Sequence, residues 1–136
     1  MVATPLAKRT QTRYKDFKIN LDVHPVTGDI TRNTDEDAII RSIKNLLFTD
    51  YYERPFQPRI GAGLKDFLFE NIDKITALSI KERIEATIET YEPRARLDLV
   101  EVNANPDYNK YDAKIVFTTI NNPEPVTFNV ILTRTR

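Results

Sequence analysis

The sequence predicts an α+β fold in a single domain: an N-terminal β-hairpin, two to three helices, then a three-strand antiparallel meander. Three observations predict it. Apolar residues recur every three or four positions at Ile39, Ile40, Ile43, Leu46 and Leu47, and again at Ala77, Ile80, Ile84, Ile88 and Tyr91, the period of a helix buried along one face. Apolar and polar residues alternate through 111–117 and 126–132, the period of a half-buried strand. The helical and strand segments are segregated along the chain, which favours an antiparallel sheet backed by helices over interleaved α/β units. At 136 residues the chain is the size of one domain, about 100–200 residues.

The elements follow in order. Residues 1–12 hold few large apolar side chains and read as an arm. Over the first 18 residues Lys8, Arg9, Arg13, Lys15 and Lys18 stand against Asp16 alone, a basic segment that is either a solvated tail or an arm for an acidic partner surface. Phe17, Ile19, Leu21 and Val23 alternate with polar residues and predict a half-buried strand, which His24-Pro25 ends. Thr27-Gly28-Asp29 is a turn signal, Gly28 being able to take positive φ, and Ile30-Thr31-Arg32 returns as a short second strand. The lone histidine, His24, is expected to be a turn residue.

Asn33-Thr34 followed by Asp35-Glu36-Asp37 is a helix start, because unpaired N–H groups and the macrodipole favour oxygen and negative charge there. It opens a helix over 35–49. Residues 50–63 are irregular: Pro55 and Pro58 forbid a helix interior, and Gly61 and Gly63 allow an unusual path or close packing. Residues 64–69 predict a short helix with Leu64, Phe67 and Leu68 on one stripe, so that Phe69 needs a second surface. The next helix spans 76–91, with Thr76 as N-cap and Pro93 beyond its end. In 97–102 the apolar positions are 97, 99, 100 and 102, an alternation that slips by one and predicts a bulge. Asn105-Pro106-Asp107 and the segment 121–125 are the turns between the last three strands. The final strand, 126–133, is expected at a sheet edge, with open main-chain groups that another chain can pair with. Arg134 and Arg136 would steer an acidic partner to it. The chain divides into an arm and hairpin over 1–34 and the main domain over 35–136.

Composition excludes many chemistries. There are 20 basic and 20 acidic residues and no Cys, so no net field draws nucleic acid or a membrane surface, and disulfides, thiolate chemistry and Cys-ligated metal are absent. One His removes any two-His metal site. No phosphate-cradling glycine loop, nucleophile elbow, HExxH or calcium loop is present, so no cofactor and no metal are expected. Apolar runs such as Leu46-Leu47-Phe48 fall far below the roughly 18 residues that span a bilayer, and the first fifteen residues carry no secretory core segment; a reducing compartment is expected. One carboxylate pair resembles a catalytic arrangement: Glu89 and Asp98 carry the spacing of phage-type lysozymes, but the threonine expected six residues later is Ala104. No catalytic residue is assigned.

The segment Tyr91-Glu92-Pro93-Arg94 is more informative. A rigid proline holds an acid and a base in a defined relation at a helix exit, and Arg94 offers a planar fork for a carboxylate or main-chain acceptor. A local alternative is that Arg94 caps the helix and Glu92 pairs with a neighbour.

The set Arg54-Pro55-Phe56, Gly61-Ala62-Gly63-Leu64, Leu68-Phe69-Glu70 and Tyr91-Glu92-Pro93-Arg94 resembles the baseplate wedge and sheath-initiator family of contractile phage tails, which is related to the small baseplate subunit of type VI secretion systems. The resemblance spans about residues 38–134 and leaves the N-terminal 35 residues outside. It implies a structural, non-enzymatic virion protein, present in several copies in a ring around the tail tube and assembled in the host cytoplasm. Its implied partners are baseplate wedge proteins, the tail sheath protein and the tube, without nucleic acid or membrane. It implies that Glu92, Pro93 and Arg94, with Arg54 of the same motif set, contact wedge proteins or brace the fold at that contact. It further implies that the strand carrying Val126, Phe128, Val130 and Leu132 is completed by a strand of the first sheath subunit. Two other readings carry different expectations: a murein hydrolase of the baseplate, since some family members bear a lysozyme label, and a generic adaptor with a basic arm.

Overall fold

The structure is a computed structural model and describes residues 15–17, 21–30 and 32–134. It begins with a ribbon: β1 (Lys15–Phe17) pairs antiparallel with β2 (Arg32–Thr34), and an isolated bridge joins Val23 to Ile30. The turn is closed by hydrogen bonds from the His24 N–H to the Asp29 carbonyl (2.8 Å) and from the Gly28 N–H to the His24 carbonyl (2.9 Å). His24 Nδ1 accepts from the N–H groups of Val26 and Thr27, so the histidine is a turn residue as expected. The strand expected over 17–23 is not half-buried where it is described. Leu21 sits at φ 52° and is 60% exposed, and Val23 is 64% exposed. A two-stranded ribbon carries no second layer to cover its apolar face. The arm over 1–12, and Ile19, lie outside the described residues.

Helix α1 (Glu36–Phe48) buries Ala38, Ile39, Ile43, Leu46 and Leu47 along one face, as its spacing predicts. Its acidic first turn, Glu36 and Asp37, faces the positive end of the helix dipole. After the irregular segment comes α2 (Leu64–Leu68), with Leu64 buried and Phe67 and Leu68 packed against the core. Phe69 finds no second surface and stays 67% exposed. Helix α3 (Lys74–Tyr91) starts two residues before the expected position. Its N-cap is Asp73, whose Oδ1 accepts from the Thr76 N–H at 2.7 Å. Thr76 is instead buried, with its hydroxyl directed at Glu70 Oε2. The carboxylate is the better acceptor for the unpaired N–H groups of a first turn.

The sheet is an antiparallel meander in the order β3-β4-β5, formed by β3 (Ala95–Asn105), β4 (Lys110–Thr119) and β5 (Asn122–Thr133). The slip in 97–102 is a bulge. Leu97 pairs with Phe117 and Leu99 with Val116, which leaves Asp98 as the extra residue. One added residue exchanges the two faces of a strand, so Leu97 before the bulge and Val100 and Val102 after it all pack on the core. The turn expected over 121–125 is shorter. The Asn122 N–H bonds to Thr119 Oγ1 at 3.0 Å, and β5 begins at once, with Pro123 and Pro125 inside it. Both prolines fall where the β4–β5 register shifts, between the pairs Phe117–Val126 and Thr119–Asn122, so neither has a partner in the ladder.

Both long helices lie on one face of the sheet. Ile39, Ile43 and Leu47 of α1 and Ile80, Ile84 and Ile88 of α3 join Val100, Tyr111, Ile115, Phe117, Phe128, Val130 and Leu132 in one core. Each such side chain contributes roughly 1.5–3 kcal/mol when fully buried. Phe117 and Phe128 meet edge to face, their centroids 5.9 Å apart. Tyr111 is buried and donates its hydroxyl to the Asn71 carbonyl at 3.2 Å, tying the segment before α3 to the middle strand.

Candidate functional site

The Glu-Pro-Arg segment forms the corner between α3 and β3. Glu92 caps the helix, its N–H bonded to the Ile88 carbonyl at 2.9 Å and its carbonyl accepting from the Ala95 N–H at 3.1 Å. The Glu92 side chain is 2% exposed. Arg94 clamps its carboxylate with two hydrogen bonds, Nε to Oε1 at 2.5 Å and Nη2 to Oε2 at 2.6 Å. Ser42 of α1 adds a third donor. Burial by itself would raise the Glu92 pKa. The hydrogen bonds from Arg94 and Ser42 and the Arg94 charge outweigh burial and hold the carboxyl below the ordinary glutamate range. Within the chain this geometry is a brace: the Glu92 carboxylate faces inward and ties α1 to the α3–β3 corner. Pro93 is exposed and Arg94 half-buried, so these two form the outer surface of the corner.

Arg54 lies some way along the chain, in the exposed part of the irregular segment between α1 and α2. That segment is pinned at both ends. The Ala62 N–H bonds to the Thr49 carbonyl (3.1 Å), the Tyr52 N–H to the Pro58 carbonyl (2.8 Å), and the Tyr91 hydroxyl to the Arg59 carbonyl (2.8 Å). Arg83 of α3 donates to the Tyr51 hydroxyl and lies over the rings of Tyr51 and Phe67, 5.6 Å from each centroid. Lys65 pairs with Asp50. Gly61, at φ 140°, passes so close to Thr49 that a Cβ would stand 2.4 Å from its carbonyl oxygen. An open groove of about 480 Å³ separates this segment from α3, lined in part by Tyr51, Phe67, Arg83 and Tyr91. Arg83 and Ser42 carry no sequence signal of their own. Each meets its partner only through packing, across 32 residues from Tyr51 and across the helix layer from Glu92.

The third location is the last strand. β5 pairs with β4 on one side and with no described strand on the other. Phe128, Val130 and Leu132 are buried and Val126 is half-buried, so their side chains serve the chain's own core. Their outward neighbours Thr127, Asn129, Ile131 and Thr133 are exposed. The Arg134 N–H bonds to the Asn109 carbonyl at 3.0 Å, on the β4 side. Main-chain direction alternates along an antiparallel strand, so the N–H and C=O groups of Thr127, Asn129 and Ile131 point away from β4, along the open edge. Helix α1 follows the same edge: Asn122 bonds to Glu36 at its start (2.8 Å), and Lys44 lies over the Phe128 ring. Arg134 lies near the Phe69 carbonyl, and Arg136 is outside the described residues.

Glu89 and Asp98 are both exposed, one in the last turn of α3 and one on the β3 bulge. Among the described residues no group of three His, Cys, Asp or Glu side chains is placed to hold a metal ion, and no helix is long and apolar enough to cross a membrane.

Comparison with known proteins gives the family. The family described as "Baseplate wedge protein gp25" matches residues 33–124. Baseplate wedge protein gp25 of Enterobacteria phage T4 is 35% identical over 116 residues, covering 80% of this chain and 86% of that protein. Among solved structures, a Geobacter sulfurreducens protein provisionally named a tail lysozyme superposes with a TM-score of 0.68 at 22% identity, over 74% of this chain and 92% of its own. A chain of the anti-feeding prophage baseplate superposes with a TM-score of 0.60, also at 22% identity, over 91% of this chain and 88% of its own. The structural likenesses share the fold. The family match and the T4 relative carry the assignment: the chain belongs to the baseplate wedge protein gp25 family, components of the tail baseplate of the virion.

Proposed function

We propose that this chain is a non-enzymatic structural subunit of the baseplate that joins neighbouring wedge proteins and starts the tail sheath. In this reading residues 35–136 are the wedge domain, and residues 1–34 are an arm and hairpin that reach a further partner. The corner surface of Pro93 and Arg94, with Glu92 holding it from inside, meets the wedge. The first sheath subunit adds a strand to β5. The observation that carries the reading is the open β5 edge, with the main-chain groups of Thr127, Asn129 and Ile131 directed away from β4. An added strand gains its affinity from main-chain hydrogen bonds and its register from alternate side chains. Val126, Phe128, Val130 and Leu132 act by holding that edge straight from the core side.

The test is Asn129→Pro, which deletes one outward donor while leaving the bonds to β4 in place. Particles assembled with it should contain baseplate and tube but no extended sheath. Normal sheath on particles containing folded Asn129→Pro protein would overturn strand addition. Murein hydrolysis is not favoured, since Glu89 and Asp98 are exposed and Ala104 replaces the lysozyme threonine.

A further inference from the structure

We propose that residues 52–59 form a rigid docking knob whose aromatic tip, Phe56 with Tyr52, inserts into an apolar socket rimmed by carboxylates on a neighbouring baseplate protein. The proposal rests on the structural-subunit reading above and adds a third contact surface, separate from the Pro93–Arg94 corner and the β5 edge. Phe56 is fully exposed (101%), and Tyr52 is 84% exposed. Both sit at positive φ, 68° and 66°, a region that residues with a Cβ adopt only at a cost. Neither ring recovers that cost by burial within the chain. Strained backbone that displays a side chain to solvent marks a contact site, and aromatic side chains are the commonest anchors of protein interfaces.

The display is rigid as well as exposed. Pro55 and Pro58 restrict the backbone on either side of the tip. Hydrogen bonds close the loop on itself, from the Gln57 N–H to the Arg54 carbonyl (3.3 Å) and from the Ile60 N–H to the Gln57 carbonyl (3.2 Å). Its two ends are held by the Tyr91–Arg59 and Arg83–Tyr51 hydrogen bonds. A tip already ordered loses little conformational freedom on docking, so more of its apolar burial appears as affinity.

Charge selects the socket. Asp50 pairs with Lys65; Glu53, whose Oε2 accepts from the Asp50 N–H at 2.9 Å, keeps its negative charge and is outnumbered by two arginines. Arg54 and Arg59 flank the tip and are exposed. An apolar socket with an acidic rim complements an exposed ring on a loop that carries two exposed arginines and one glutamate.

The experiment co-expresses the full chain with the other baseplate wedge proteins of the same phage and measures capture on the tagged chain. Circular dichroism and the thermal midpoint confirm that each variant is folded. Phe56→Ser should weaken capture at least tenfold with the midpoint unchanged, Phe56→Leu should retain most of it, and Arg54→Gln with Arg59→Gln should weaken it and reduce its salt dependence. Wild-type capture matched by Phe56→Ser would overturn the knob and leave the subunit reading standing. Absence of wild-type capture would overturn the subunit reading and the knob with it. Sedimentation with phosphatidylglycerol vesicles that is lost in Phe56→Ser, with wedge capture intact, would assign the tip to a membrane and overturn the proposal.

Discussion

Arg94 reaches back across Pro93 to hold the buried carboxylate of Glu92 with both Nε and Nη2, at 2.5 and 2.6 Å. The pair is nearly local in sequence, yet it closes the junction of α1, α3 and β3, because Ser42 binds the same carboxylate from the other helix. Removing one member of a buried ion pair leaves the other without compensation. Arg94→Ala should therefore destabilise the fold by about 3 kcal/mol, read as a lower urea midpoint at constant m-value. A change under about 0.5 kcal/mol, the size of an exposed pair, would contradict the brace.

The same carboxylate sets a pH dependence. The Glu92 pKa is lower in the folded chain than in the unfolded chain, where it lies near the ordinary value of about 4.3. The pair's contribution to stability is thus fully present above that value and is lost as pH falls through the depressed folded pKa. Urea unfolding measured from neutral pH down to acid should show wild type losing more stability than Glu92→Gln. Parallel curves would mean that Glu92 contributes no linkage.

Two glycines should differ sharply. Gly61→Ala places a methyl group 2.4 Å from the Thr49 carbonyl oxygen at φ 140°, while Gly28→Ala, at φ 67°, meets nothing within 4 Å. Gly61→Ala should destabilise by about 2 kcal/mol or more, from clash added to backbone strain, and Gly28→Ala by about 1 kcal/mol from conformation alone. Thermal or urea melts of the two variants check the order.

Arg83 holds the segment between α1 and α2 through the Tyr51 hydroxyl and ring, and also lies over Phe67 of α2. Arg83→Ala should raise amide hydrogen exchange across 50–63 while leaving the sheet protected, because the core lies on the other side of α3. Faster exchange spread evenly over the chain would point to global destabilisation.

Purified chain should not clear a peptidoglycan suspension, and Glu89→Gln should behave as wild type. Both carboxylates are exposed, and the position of the expected threonine is Ala104. Clearing by wild type that disappears in Glu89→Gln would establish the hydrolase.

Much of this architecture is legible along the chain. The helix periods around Ile43 and Ile84, the alternation through Tyr111 and Phe128 and the slip near Asp98 all encode which side of each element is apolar. These are short-range properties and need no knowledge of what the element packs against. Where expectation and structure differ, a competing neighbour decides. Asp73 takes the cap expected of Thr76 because its carboxylate reaches the first turn and Thr76 is drawn into the core. Prolines 123 and 125 enter β5 because the β4–β5 register breaks there and leaves them without ladder partners.

The candidate site divides along the same line. The motif Glu92-Pro93-Arg94 stands out in the sequence because a rigid residue between opposite charges is a local pattern, and the prolines and glycines of 50–63 mark an unusual path for the same reason. Tertiary structure alone decided that Glu92 faces inward to Ser42, that Arg83 pins Tyr51, and that Phe56 stands fully in solvent. Contacts between distant residues arise only when burial of the helix and sheet faces brings those elements together. The sequence by itself determined the kinds of element and their apolar faces. The packing of those faces decided which polar groups pair inside and which edges and side chains remain for a partner.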